Sequence, residues 1–201
     1  MIEWGNISKE TIKVFCEEFD TQFKEKNNRI EKAFKSDCVH DRVSVLNNEY
    51  RTHMGAEQVN AVAKRIEEEK LDSLILNCDI NVVSILADKK KSKGKSARDC
   101  FSFATKYCCL LSTFNGIDYY PIFDSLVYKA LLCLNWKYGN PFDISEKLFK
   151  DILKKREYPK YKEIIEEFRS YGEFGISDVS FRNLDKYLWW NPVFVKRINT
   201  V

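Results

Sequence analysis

A chain of 201 residues with 44% apolar content is long enough to bury one substantial core and too hydrophobic to be disordered. With only 7 Gly and 4 Pro it does not suit a turn-rich β sandwich, and its Lys-, Glu- and Leu-rich periodic segments favour helices. A net charge of +3 excludes a surface that binds polyanions everywhere, so any such binding must come from local patches.

The expected fold class is therefore all-α: a compact multi-helix domain spanning 1–201 with about eight to ten helices, in two lobes, 1–88 and 97–201, joined by a lysine-rich hairpin at 89–96. Seven cysteines in an odd count, without a C-x-x-C pair, make no disulfide framework, and no apolar run approaches 18 residues. The start MIEWGN is not a signal peptide. A reduced, cytoplasmic protein without membrane contact is expected. Cys38-Val39-His40 is the one Cys near a His, and the chain has 2 His, so neither a metal site nor a cofactor is expected.

In chain order, Ser8 caps a first helix while Ile7 packs on Ile12 as a staple, and Val14, Phe15, Phe19 and Phe23 continue its apolar face to about Lys26. Asn27-Asn28 reads as its end. Ile30 and Phe34 mark a short segment, Val43, Leu46 and Tyr50 a second amphipathic stretch, and Gly55 a break. Val59, Val62, Ala63 and Ile66 describe the next helix. Leu71 to Leu86 carries both a helical pattern and strand-favouring β-branched residues; two short helices divided at Asp79, with Asp79 capping the second, are preferred.

Lys89, Lys90, Lys91, Lys93 and Lys95 then surround Gly94. A solvated connector is one reading of them. The other is a hairpin whose backbone N–H and ammonium groups contact nucleic-acid phosphates.

The chain is organised around Phe101 to Trp136. Phe101, Ala104, Thr105, Cys108 and Leu111 recur on one buried helical face, Asn115-Gly116 turns, and Pro121 leads an extended approach to a second helix carrying Leu126, Val127, Ala130, Leu131 and Leu134. Asp124 stands at its start, where orphan N–H groups and the helix dipole favour an acidic cap. Beyond the Tyr138-Gly139-Asn140-Pro141 loop, Asp143 or Ser145 caps a helix through Ile152, and Pro159 starts another, with Tyr161, Ile164, Ile165 and Phe168 inside and Lys160 and Lys162 outside. Ser177 or Ser180 caps the last helix, which Asn191-Pro192 ends.

FATKYC, a short irregular connection and PIFDSLVYKAL resemble the corresponding segment of the helix-hairpin-helix DNA glycosylases, in the 8-oxoguanine glycosylase-like branch, over about residues 80–136. Pro121, Asp124, Val127 and Lys129 are the matching positions. An extra residue between Pro121 and Asp124, Ser125-Leu126 in place of the family's His-containing pair, and one glycine in the hairpin instead of two are departures.

The resemblance implies that Asp124 faces a pocket for an extruded base and assists water or stabilises the cationic sugar. Bifunctional members add a Lys nucleophile in the preceding helix. Aligning Ala104 with the family's small helix residue puts Ser102 there, and Lys106 lies about one turn further on, so Lys106 is catalytic only if the enzyme is bifunctional. Ser102, Tyr119 and Tyr120 would line the base pocket, although for the tyrosines core packing is the preferred reading of the residues themselves. The function implied is a monofunctional glycosylase acting on duplex DNA. The alternative is a non-catalytic helical module, binding nucleic acid or protein, on the same scaffold.

Overall fold

The computed structural model describes residues 7–88 and 100–190, and among them the chain is helical without strands. The described residues form eleven helices, and the chain divides into two compact units, one made of the residues up to Gln22 and from Phe123 onward, the other of Phe23–Ile122. The division falls at 22/23 and 122/123, and the expected 89–96 connector lies outside the described residues.

In the first unit, α1 (Lys9–Gln22) starts where Ser8 Oγ accepts from Thr11 N at 3.1 Å, the cap that the sequence predicts. Its buried face is Ile12, Cys16 and Phe19; Val14, two residues from Ile12 and so on the opposite side of the helix, is exposed. α1 packs on α11 (Phe181–Trp190), with Phe15 edge-on to Tyr187 at 5.4 Å and Lys186 bound to both carboxylate oxygens of Asp20 at 2.8 Å. Ser180, not Ser177, supplies the α11 cap, accepting from Asn183 N at 3.2 Å.

α8 (Ser125–Lys137) also packs on α11, and α9 (Glu146–Lys155) on α10 (Tyr158–Ser170). Ser145, not Asp143, caps α9 through Leu148 N at 3.2 Å. Lys162 is not outside as expected: it is buried, its ammonium lying 5.8 Å from the centre of the Phe181 ring and reaching Glu166. The core is aromatic. Phe142 contacts Phe168 at 5.3 Å and Tyr171 at 5.2 Å, and Phe174 adds Phe168 at 5.0 Å and Tyr138 at 4.8 Å. Asn135 clamps Phe142 in place, donating to its carbonyl at 3.0 Å and accepting from its N–H at 2.9 Å.

The second unit holds α2 (Lys24–Phe34), α3 (Val39–Glu49), α4 (Ala56–Glu68), α5 (Leu71–Leu76), α6 (Val82–Leu86) and α7 (Phe101–Phe114). Asn27-Asn28 does not end a helix: the break comes at Phe23, and the two asparagines continue α2 because Ile30, Ala33 and Phe34 give it a face to bury. Leu71–Leu86 forms two short helices, as preferred. Asp79 Oδ1 accepts from Asn81 N at 2.9 Å just before the second, and Val82, Val83 and Leu86 are buried.

α7 is the axis of this unit, packed by α2, α3, α5 and α6. Its burial is not confined to the predicted face: Phe101 and every residue from Phe103 to Ser112 are buried. A helix surrounded by four others has no solvent side, and its hydroxyls turn inward, Thr105 donating to Ser102 O at 3.1 Å and Ser112 to Cys109 O at 3.1 Å.

Candidate functional site

Asp124 belongs to the first unit. Its backbone is extended, with φ −139° and ψ 142°, its Oδ1 accepts from Leu126 N at 2.9 Å, and its carbonyl accepts from Tyr128 N at 3.0 Å. The junction is anchored by the residue before it, since Phe123 stacks on Phe149 at 4.7 Å and meets Tyr161 edge-on at 4.9 Å. Tyr128, one turn into α8, donates to Ser145 O at 2.8 Å. Asp124 is thus a half-exposed carboxylate held in one orientation by a helix N-terminus and a packed aromatic pair.

An open cavity of about 330 Å³ lies in the same unit, lined by Asp143, Ser145, Lys147, Asp151, Lys160 and Glu163 among others. Asp124 is not part of its wall, and its mixed charges select no one sign of ligand.

The other predicted residues belong to the second unit. Ser102 is half-buried and Lys106 buried, at 5% exposure, and Lys106 Nζ donates to Ser102 Oγ at 2.5 Å. The sequence separates these two positions by about one turn, a displacement too large for a shared reactive point. The side chains abolish it. Helical side chains tilt toward the N-terminus, so a four-methylene stem at 106 carries its amine back to residue 102.

Lys106 Nζ also lies 5.6 Å from the centre of the Tyr50 ring, and Lys26 Nζ lies 4.1 Å from the same ring. Sequence reading missed Tyr50 as a neighbour of Lys26 and of Lys106, because only the packing of α2 and α3 on α7 joins positions so far apart in the chain.

Tyr119 and Tyr120 meet edge-on at 4.8 Å but differ in setting. Tyr119 is half-buried. Tyr120 is fully inside, its hydroxyl within 3.2 Å of Ile75 O and 3.1 Å of Asp79 O, and burial pushes its phenol well above the ordinary range. That position ties the loop after α7 to α5 and to the turn at Asp79.

A second polar centre in this unit was absent from the sequence reading. Arg42 is buried on α3; its Nε donates to Tyr107 OH at 3.1 Å, one Nη to Ser36 O at 2.6 Å, and the other to Asp72, whose second oxygen accepts from Tyr107 OH at 2.9 Å. Burial pushes the Asp72 carboxyl up, with the Arg42 charge and the Tyr107 hydrogen bond pulling it back. Burial likewise raises the Tyr107 phenol far above its usual value. The signal was present: Arg42 sits between Val39, Val43 and Leu46 on an otherwise apolar face.

Lys89, Lys90, Lys91, Lys93, Gly94 and Lys95 lie outside the described residues. Among the described residues no three His, Cys, Asp or Glu side chains gather as metal ligands; His40 instead bonds Asn60 Oδ1 at 2.9 Å and Ser44 Oγ at 3.4 Å. No helix among them is long and apolar enough to cross a membrane.

Neither a curated protein nor a solved structure matches this chain. One family model does, that of HI_0787_N, described as an N-terminal domain. It matches residues 8–114, which run from the Ser8 cap of α1 to the end of α7 and so include α1 of the first unit with all six helices of the second. Because the match covers more than half of the sequence, the chain belongs to the HI_0787_N family.

Proposed function

We propose that the protein is a DNA-glycosylase-like protein that binds duplex DNA and hydrolyses the N-glycosidic bond of a damaged base, with Asp124 as the catalytic carboxylate. The observation that carries this reading is the Asp124 junction: an extended segment after Pro121 delivers the carboxylate to the start of α8, where Leu126 N–H holds one oxygen at 2.9 Å. In this reading the carboxylate so oriented acts on water or on a cationic sugar. Lys89 to Lys95 supply the phosphate contacts in this reading. Seven free cysteines suit a reducing, cytoplasmic setting.

A bifunctional version has its own support, because the Lys106 amine reaches Ser102, the position that the resemblance gives to the nucleophile. A deprotonated amine there attacks the sugar C1′ and expels the base, which takes up a proton; opening of the C1′–O4′ bond then leaves an imine that borohydride reduces to a stable adduct.

Duplexes bearing single damaged bases, assayed for base release and for borohydride trapping, test both versions. Release by wild type and its loss in Asp124→Asn is the expected result. Trapping that disappears in Lys106→Gln establishes the lyase, and release without trapping establishes the hydrolase. No release across the panel, with duplex binding intact, moves the assignment to a non-catalytic nucleic-acid-binding module.

A further inference from the structure

α1 is packed in the first unit and runs, through Phe23, straight into the first helix of the second. Its main packing partner is α11. Phe15 lies edge-on to Tyr187 at 5.4 Å and to Trp190 at 6.4 Å, Phe19 lies edge-on to Trp189 at 6.1 Å and to Trp190 at 6.0 Å, and Cys16 Sγ donates to Asn183 O at 3.5 Å. An ion pair stands toward each end of α1, Lys9 with Asp178 and Asp20 with Lys186. The two pairs have opposite polarity, so α1 docked the other way round would set like charges against each other. Rings thus supply the contact, and charges fix its direction and register.

At Phe23 the local sequence and the tertiary structure disagree. Neither Pro nor Gly occurs between Lys9 and Phe34, and Ile12, Cys16, Phe19, Phe23, Ile30 and Ala33 keep one three-and-four spacing, the pattern of a single helix. The helix nevertheless breaks at that one residue, whose φ of −110° and ψ of 23° lie outside the α region. No side chain caps α2 there, whereas a continuous helix would bond the N–H groups of its first turn to carbonyls of α1. The family match also begins at Ser8 and takes α1 together with the helices of the second unit, while α11 lies outside it. In sequence, then, α1 goes with the second unit; its contact with α11 keeps it in the first.

We propose that the α11 face is an exchange surface whose partner is α1 of a second copy of this chain. Phe23 takes helical φ and ψ, Lys9 to Phe34 become one helix, and each copy's α1 docks on the other copy's α11. The ring contacts and both ion pairs are remade between copies, and hydrogen bonds across the joint are added. The entropy of association opposes the exchange, so it is favoured by concentration. The exchange is independent of base excision.

The full chain, refolded from urea at high concentration as an equal mixture of isotope-labelled and unlabelled copies, provides the test. Monomer and dimer are separated by size exclusion, and each is treated with a zero-length carbodiimide that joins Lys to Asp. In the dimer, Lys9–Asp178 and Asp20–Lys186 links between a labelled and an unlabelled peptide are expected; in the monomer, links within one isotope only. Lys24→Pro should abolish the dimer and leave a folded monomer, because Pro is tolerated at the first position of α2 but removes a hydrogen bond and clashes inside a continuous helix. Phe23→Ala puts the best helix former at the joint, should raise the dimer fraction, and carries the test if Lys24→Pro fails to fold. Absence of a dimer in both wild type and Phe23→Ala, a dimer without mixed links, or a dimer that persists in folded Lys24→Pro overturns the proposal.

Discussion

The two units solve the same problem, an all-helical core, with opposite chemistry. The first fills its centre with rings: Phe142, Phe168, Tyr171 and Phe174 meet with centroids 4.9 to 6.2 Å apart. The second ties three helices with a buried charge, Arg42 of α3 meeting Asp72 of α5 and Tyr107 of α7. The hydrophobic effect that buries the rings is non-directional, whereas the Arg42 network specifies one arrangement and penalises any member left alone. The difference teaches where each unit is fragile, to volume in one and to charge pairing in the other.

The comparison is broken most severely at its two centres. Arg42→Met strands the Asp72 carboxylate and should cost about 3 to 5 kcal/mol in urea unfolding. The triple variant Arg42→Met, Asp72→Leu, Tyr107→Phe should recover most of that loss, because replacing a whole buried ion pair with apolar groups is close to neutral. Failure of the triple variant to recover would mean that packing around Arg42, and not its charge, holds the second unit. In the first unit Phe168→Ala, at a residue 1% exposed, should also cost about 3 to 5 kcal/mol, with no charge swap able to offset it.

The Asp124 junction sharpens the comparison at a smaller scale. Asp124→Ala removes the bond to Leu126 N and should lower stability by about 0.5 to 2 kcal/mol, the range of a lost N-cap. If base release is lost with so modest a change in unfolding, Asp124 is more than a cap.

Alkaline pH probes the α1 side of the first unit. Burial pushes the Cys16 thiol up from 9.0 to about 11, so the folded state disfavours the thiolate. The contribution of this thiol is whole below pH 9 and is lost as pH rises through about 11, with a slope of at most about 1.4 kcal/mol per pH unit. Unfolding measured from pH 8 to 11 should show that decline, and Cys16→Ala should flatten it. The smallest effect belongs to Lys9 and Asp178, an exposed ion pair in which the Lys9 hydrogen bond holds the Asp178 carboxyl below its ordinary range. Asp178→Asn should leave the melting temperature within experimental error.

Much of this molecule is dictated by local sequence. The helices around Val59–Ile66, Phe101–Leu111 and Leu126–Leu134 follow from apolar spacing, and the caps at Ser8 and Asp124 from side chains that satisfy orphan N–H groups within three residues. Such features need no distant partner, so the sequence by itself determined the all-α class and the Asp124 cap. Tertiary structure alone decided the rest. Asn27-Asn28 became helix because α2 had a face to bury, and Val14 fell outside because α1 turned Ile12, Cys16 and Phe19 inward. Tyr120 went into the core because two carbonyls, at Ile75 and Asp79, were there to accept its hydroxyl. The meeting of Lys26, Tyr50 and Lys106, like that of Arg42, Asp72 and Tyr107, joins residues tens of positions apart. No periodicity encodes such contacts; they exist only once several helices have packed around α7.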